Sequence, residues 1–240
     1  MDSYEQLEQE FSSFYKQLAG TGDAQRAFHS LIWPYLGHER HYHTIDHLAQ
    51  GIEEWEEVAH LLEHPARVGM AWLGHDSIFK ANERGNEERS AHFMYNLLSV
   101  ARIPKYIREG IASLILSTRH SAVPSGNDGK YIADIDLTIF GQPTDAFDEY
   151  ERRIRKEYAF VEEKEFRARR AEILERFLKR PEGIYLTDHF SKKYDIHAQE
   201  NLRRCVARLR DDAAFNAFFP LVTKATGHPY SEIRSRAENI

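Results

Sequence analysis

The chain has a single cysteine, Cys205, among 240 residues. No internal disulfide can form, and the expectation is a reducing, cytoplasmic setting. No run approaches the roughly 18 apolar residues that a membrane span needs. The first residues, Met-Asp-Ser-Tyr-Glu, are acidic and lack the apolar stretch of a secretory leader. The formal charge is −6, so there is no general attraction to nucleic acid or to an anionic membrane, and neither is expected as a stable partner. A local basic pocket for phosphate stays open. The alternating pattern of strands is nearly absent, and there is no internal repeat, low-complexity segment or linker-like stretch.

What is present is helical periodicity over a chain that is 42% hydrophobic, enough for a packed core. Residues 4–18 place Tyr4, Leu7, Phe11, Phe14 and Leu18 on one face. A second helix carries Ala27, Phe28, Leu31 and Tyr35 until Pro34 kinks or ends it. Thr44 is a candidate N-cap for a helix running to about Leu62, and Pro65 starts the next helix. Asn86 can cap a further helix, and Pro104 begins another that ends at Arg119-His120. Residues 121–129 read as a loop, a candidate lid, followed by a helix over 131–140. A long charged helical stretch over 145–179, broken near Glu162, and a helix from about Ile196 to Arg210 complete the pattern. The expectation is one all-α domain, with a core over about 25–140, a helical extension over about 145–210 and a C-terminal appendage over 211–240.

The chemistry converges on Met70 to Asp76, an apolar helix that ends in the doublet His75-Asp76. An imidazole and a carboxylate are costly there without partners. His47 lies at the first turn of its helix beside the buried stripe, and Asp136 shares the inward face of Ile132, Ile135 and Ile139. Each alone has an ordinary reading: His47 as a satisfied core histidine, Asp76 as a cap. Two His and two Asp together suit a divalent cation of intermediate hardness. Glu87 and Glu88 fall in the first turn of a helix, where carboxylates complement the dipole. Glu87 shares the face of Ala91, Met94 and Leu98, so periodicity favours it over Glu88 as an acid or base. Asp134 is angularly offset, towards the ligands' surroundings or solvent.

The order of these residues resembles the HD superfamily of metal-dependent phosphohydrolases, most closely the branch described only as predicted metal-dependent HD phosphohydrolases. The matching stretches are Arg40-His41-Tyr42-His43 with His47, then Trp72 to Asp76, Asn86 to Ala91, Ser117 to His120 and Asp134 to Leu137. Ile184-Tyr185 and Asn201-Leu202 follow, so that roughly 25–210 is covered. A bare His-Asp doublet is a weak signal; the ordered set is a specific one.

The resemblance implies an HD-domain-like helical bundle with additional C-terminal helices. It implies that His47, His75, Asp76 and Asp136 hold one divalent ion (Mn, Mg, Co, Ni, Zn or Fe), and that His120 can hold a second or contact phosphate. The expected reaction is phosphoester hydrolysis of a nucleotide or related small phosphorylated metabolite by activated water. Glu87, Glu88 and Asp76 are the candidates for the catalytic groups, and Arg40, His43, Arg119 and His120 for the substrate-binding ones. Two alternatives remain in the same superfamily, a di-iron oxygenase and a non-catalytic nucleotide sensor. The substrate, the metal and the oligomeric state are not legible in the sequence.

Overall fold

A computed structural model describes residues 2–219, 230 and 233. Among them the chain is all-α, with eleven α-helices, three short 3-10 turns and no strand. No helix of the described residues is long and apolar enough to cross a membrane. The described residues fall into two compact units, one running to Ile135 and joined by Tyr230, the other beginning at Asp136.

In the first unit, α1 (Ser3–Gln17) is capped by Asp2, whose side chain accepts from the Glu5 amide. Leu7, Phe11 and Phe14 are fully buried. α2 (Ala24–Ile32) is capped by Asp23, and a 3-10 turn over Trp33–Leu36 contains Pro34, which lacks the amide that a longer helix would need. α3 (Ile45–Val58) stops four residues short of Leu62 and tightens into a 3-10 turn, Ala59–Leu61. Thr44 stands at its N-cap, but the buried hydroxyl makes no capping bond. α4 (Pro65–Gly74) opens on its proline. It packs so tightly on α3 that a Cβ on Gly51 would lie 1.9 Å from Trp72 Cζ2, and Trp72 Nε1 donates to the Leu48 carbonyl at 2.9 Å. α5 (Asn86–Val100) and α6 (Lys105–Ser117) follow.

The N-cap of α5 is Gly85, with φ +78°, rather than Asn86. The left-handed backbone favours glycine there, and Asn86 is free to bind the preceding loop instead. α6 stops at Ser117, short of Arg119-His120, and α7 (Asn127–Leu137) begins four residues before the expected start at 131, so the loop between them is 118–126. The cause of the early start is Asp128. Its carboxylate accepts from the Glu63 and His64 amides at 2.7 and 2.9 Å, while Asn127 Nδ2 donates to the Leu61 carbonyl at 3.1 Å. These polar anchors have no apolar periodicity to announce them.

α7 is continuous through the boundary between the units, and a 3-10 turn, Thr138–Gly141, extends it. In the second unit α8 (Thr144–Glu157) and α9 (Glu163–Leu178) break at the expected place, with the Glu162 side chain capping α9. α10 (Asp188–Arg210) starts eight residues before Ile196, capped by Thr187; its first turns bury Phe190 and Tyr194 but are otherwise polar. α11 is Asp212–Phe218, capped by Asp211; the rest of the expected appendage lies outside the described residues, save 219, 230 and 233. The core of this unit contains an ion pair. Arg170 Nε and Nη2 donate to Glu151 at 3.2 and 2.5 Å, and Nη2 also donates to Tyr150 Oη at 2.7 Å. Both partners are buried, and burial pushes the Tyr150 phenol far up. Such a pair is tolerated because the two charges meet through two hydrogen bonds and Arg170 makes a third to Tyr150.

Candidate metal centre

Three helices bring His47, His75 and Asp136 together. His47 is the third residue of α3, His75 is the C-cap of α4, and Asp136 is the second-last residue of α7. Each offers one ligand atom, and these atoms all lie within 4.8 Å of one another. The two histidines are buried and Asp136 is half-buried.

His75 is held from behind. Its Nδ1 donates to the Trp72 carbonyl at 2.7 Å, a bond that the frayed last turn of α4 makes available three residues upstream. Its ring stacks on the Trp72 indole with centroids 4.3 Å apart. The other nitrogen, Nε2, faces His47 Nε2 at 3.3 Å. His47 is in turn walled by Trp72, edge-on at 5.0 Å, and by Tyr42 at 4.7 Å. Two imidazole nitrogens this close are a stable arrangement only with a proton or a cation between them. A carboxylate within the same sphere favours the cation, so the donor set fits a divalent metal.

Asp76 stands beside this group. Its Oδ2 lies 3.0 Å from His75 Nε2 and 3.8 Å from His43 Nε2. Its backbone amide donates to Tyr35 Oη at 3.1 Å, and that hydroxyl donates to the Leu73 carbonyl at 2.9 Å, which ties the end of α4 down. Asp134, one turn-fraction from Asp136, is fully buried rather than turned to solvent.

The remaining candidates are spread over several structural tasks. Arg40, expected at the phosphate, is only 5% exposed. Its Nη1 donates to the carbonyls of His43 and Asp76 at 3.0 and 2.8 Å, and its Nη2 to that of Ser77 at 3.1 Å. It braces the loop after α2 against the doublet, over the Tyr35 ring at 4.7 Å. His43 stacks on Phe79, with centroids 4.1 Å apart. Glu88 is exposed and accepts from Arg119 Nη1 at 2.6 Å. A hydrogen bond from its own backbone amide, and then Arg119, hold its carboxyl below the usual range. Glu87 is half-buried in the same first turn. His120 is half-buried with a left-handed φ of +53°.

Three contributions escape a reading by periodicity: the Trp72 carbonyl, the Tyr35 hydroxyl and the Phe79 ring. The Trp72–His75 spacing of three at a helix end is the signal for the first. The others depend on tertiary approach. Compared with family models, with curated proteins and with solved structures, the chain matches none.

Proposed function

We propose that the chain is a metal-dependent phosphohydrolase of the HD type, acting on a nucleotide or a related small phosphorylated metabolite. The observation that carries the reading is the convergence of His47, His75 and Asp136 within 4.8 Å, in the order the HD pattern implies. A divalent cation held there would supply an activated water and neutralise phosphoryl charge.

The chain's own residues do the rest. The Trp72 carbonyl keeps the His75 proton on Nδ1 and so leaves Nε2 as the ligand atom. Asp76, next to His75 Nε2, either completes the ligand set or accepts a proton from the attacking water. Tyr42 and Trp72 exclude bulk water from the His47 side. Glu87 is the acid that protonates the leaving oxygen. Arg119 and His120 hold the phosphate charge; Arg119 exchanges Glu88 for the substrate at little cost, because an exposed ion pair is worth only about 0–1 kcal/mol.

The test is phosphate release from a panel of nucleotides and a generic phosphomonoester. Metal-stripped protein is refilled separately with Mn, Mg, Co, Ni and Zn, beside Asp136→Asn and Asp76→Ala controls. Metal-dependent release that the controls lose supports the reading. Metal binding without release under any condition overturns it, in favour of a nucleotide sensor or an oxygenase.

A further inference from the structure

The loop that follows the His75-Asp76 doublet is fastened to α5 at two points. The Ile78 amide donates to Ser90 Oγ at 3.0 Å, and the same hydroxyl donates back to the Ile78 carbonyl at 3.3 Å. Two residues on, the Lys80 amide donates to Asn86 Oδ1 at 3.0 Å, and Asn86 Nδ2 donates to the Lys80 carbonyl at 3.3 Å. Each side chain thus serves both the donor and the acceptor of one backbone residue, as a paired strand would. Arg89 supports the second point by donating from Nη2 to Asn86 Oδ1 at 2.6 Å, and from Nη1 to the Arg84 carbonyl at 2.7 Å. Ser90 is fully buried.

The residue between the two fastened positions is Phe79. Its ring lies 4.1 Å from that of His43, at an interplanar angle of 26°. His43 Nε2 is the nitrogen that faces Asp76 Oδ2 at 3.8 Å. The geometry points to Phe79 as a positioning residue of the metal centre: held in place by Ser90 and Asn86, it sets the plane of the His43 ring and aims Nε2 at Asp76. The functional meaning rests on the reading of the centre given above, but the arrangement can be measured without substrate.

The test uses the full chain at one fixed pH. The His43 ring protons are assigned by the resonances lost in His43→Gln. Ring current from Phe79 displaces them upfield of the ring protons of exposed His38. Phe79→Leu removes most of the displacement and leaves only what the edge-on Tyr42 ring at 5.1 Å supplies, Phe79→Tyr keeps it, and Ser90→Ala combined with Asn86→Ala reduces it although the phenyl ring is still present. The His75 resonances, displaced by the Trp72 stack, stay put in every variant and report an intact fold. With Mn as the probe, Phe79→Leu lowers affinity by roughly tenfold, the scale of an outer partner of a ligand, and Phe79→Tyr restores it. An undisplaced His43 in the parent chain, or a displacement that Phe79→Leu does not diminish, overturns the role of Phe79. A full displacement in the double variant overturns the clamp. Equal Mn affinities in the parent chain and both Phe79 variants overturn the positioning role. Phosphate release enters none of these readouts, so a chain that passes them and releases no phosphate refutes the hydrolase reading alone.

Discussion

His75 Nδ1 lies 2.7 Å from the carbonyl oxygen of Trp72, and a ring nitrogen facing a carbonyl carries the proton. That bond decides what the other side of the ring can do. Nε2 of the neutral ring is left as an acceptor, pointed at a second imidazole nitrogen 3.3 Å away.

Filling that position with a cation stabilises the chain. At a free Mn concentration of about 100 times Kd, linkage adds about 2.7 kcal/mol, or roughly 5–10 °C in a chain of this size. His47→Gln and Asp136→Asn lower Mn affinity by more than roughly tenfold and remove the shift. Calorimetry with and without Mn checks this. An equal shift in the parent chain and both variants would remove these residues from the centre.

Gly51→Ala brings a methyl group to where the Trp72 ring now sits, 1.9 Å from Cζ2. Overpacking of this kind costs about 1–3 kcal/mol. The indole also backs both histidines, so Mn affinity falls with stability. Gly110→Ala, where the nearest atom outside its own helix would be Arg67 Nη1 at 3.6 Å, leaves Mn affinity unchanged and gains about 0.5–1 kcal/mol of stability, because alanine loses less backbone freedom than glycine inside a helix. Urea titration and Mn competition on the two variants separate the cases.

Burial pushes the Asp148 carboxyl up, but Arg208 and Arg204 outweigh it and hold it below the ordinary carboxylate range. Arg204 donates at 2.8 Å, and Arg208 at 2.9 and 3.0 Å. A depressed value in the folded state gives stability that is present above the unfolded value of about 3.9 and is lost as pH falls through the lower folded value. Asp148→Asn therefore costs about 1–3 kcal/mol at neutral pH, and the gap to the parent chain closes in acid. Urea midpoints at pH 7, 5 and 3 measure it; a gap that does not change with pH would contradict the assignment.

Glu151→Ala leaves the Arg170 charge buried without its partner, and breaking a buried pair in this way costs about 3–5 kcal/mol. Replacing both, Glu151→Met with Arg170→Leu, restores most of the loss. Equilibrium unfolding of the single and double variants gives the coupling directly.

Glu87→Gln and Glu88→Gln divide the two carboxylates of α5. The first lowers the rate of phosphate release by about 10²–10⁴, the range of a general acid. The second leaves the rate within a few-fold and changes stability by no more than about 1 kcal/mol, since its pair with Arg119 is exposed. Equal losses in both would remove Glu87 from the role proposed for it.

Apolar periodicity carried much of the fold because most helices bury a stripe. Phe11 and Phe14, Leu48 and Ile52, or Val68 and Trp72 mark their helices by spacing alone. It fell short at ends built from polar chemistry. The start of α7 is set by Asp128 and Asn127, which bind the backbone just before α4, and that of α10 by Thr187, whose hydroxyl accepts from the orphan Phe190 amide; in both, hydrogen bonding matters more than hydrophobicity. At the centre, the inward direction of His47 and His75 followed from their stripes. The burial of Arg40 did not, because three backbone carbonyls 3, 36 and 37 residues away compensate its charge.

The clip made by Asp128 has a consequence for synthesis. α4 has no side-chain cap at its own start, and the amides of Glu63 and His64 just before it are taken by a carboxylate 65 and 64 residues further along. A nascent chain that ends before α7 therefore emerges with the start of α4 unlatched. The helix that latches it also carries Asp136, so anchoring of α4, at whose C-terminal end His75 stands, and delivery of the third member of the candidate centre come from one late segment. Stalling translation before residue 127 would leave two histidines made and no centre.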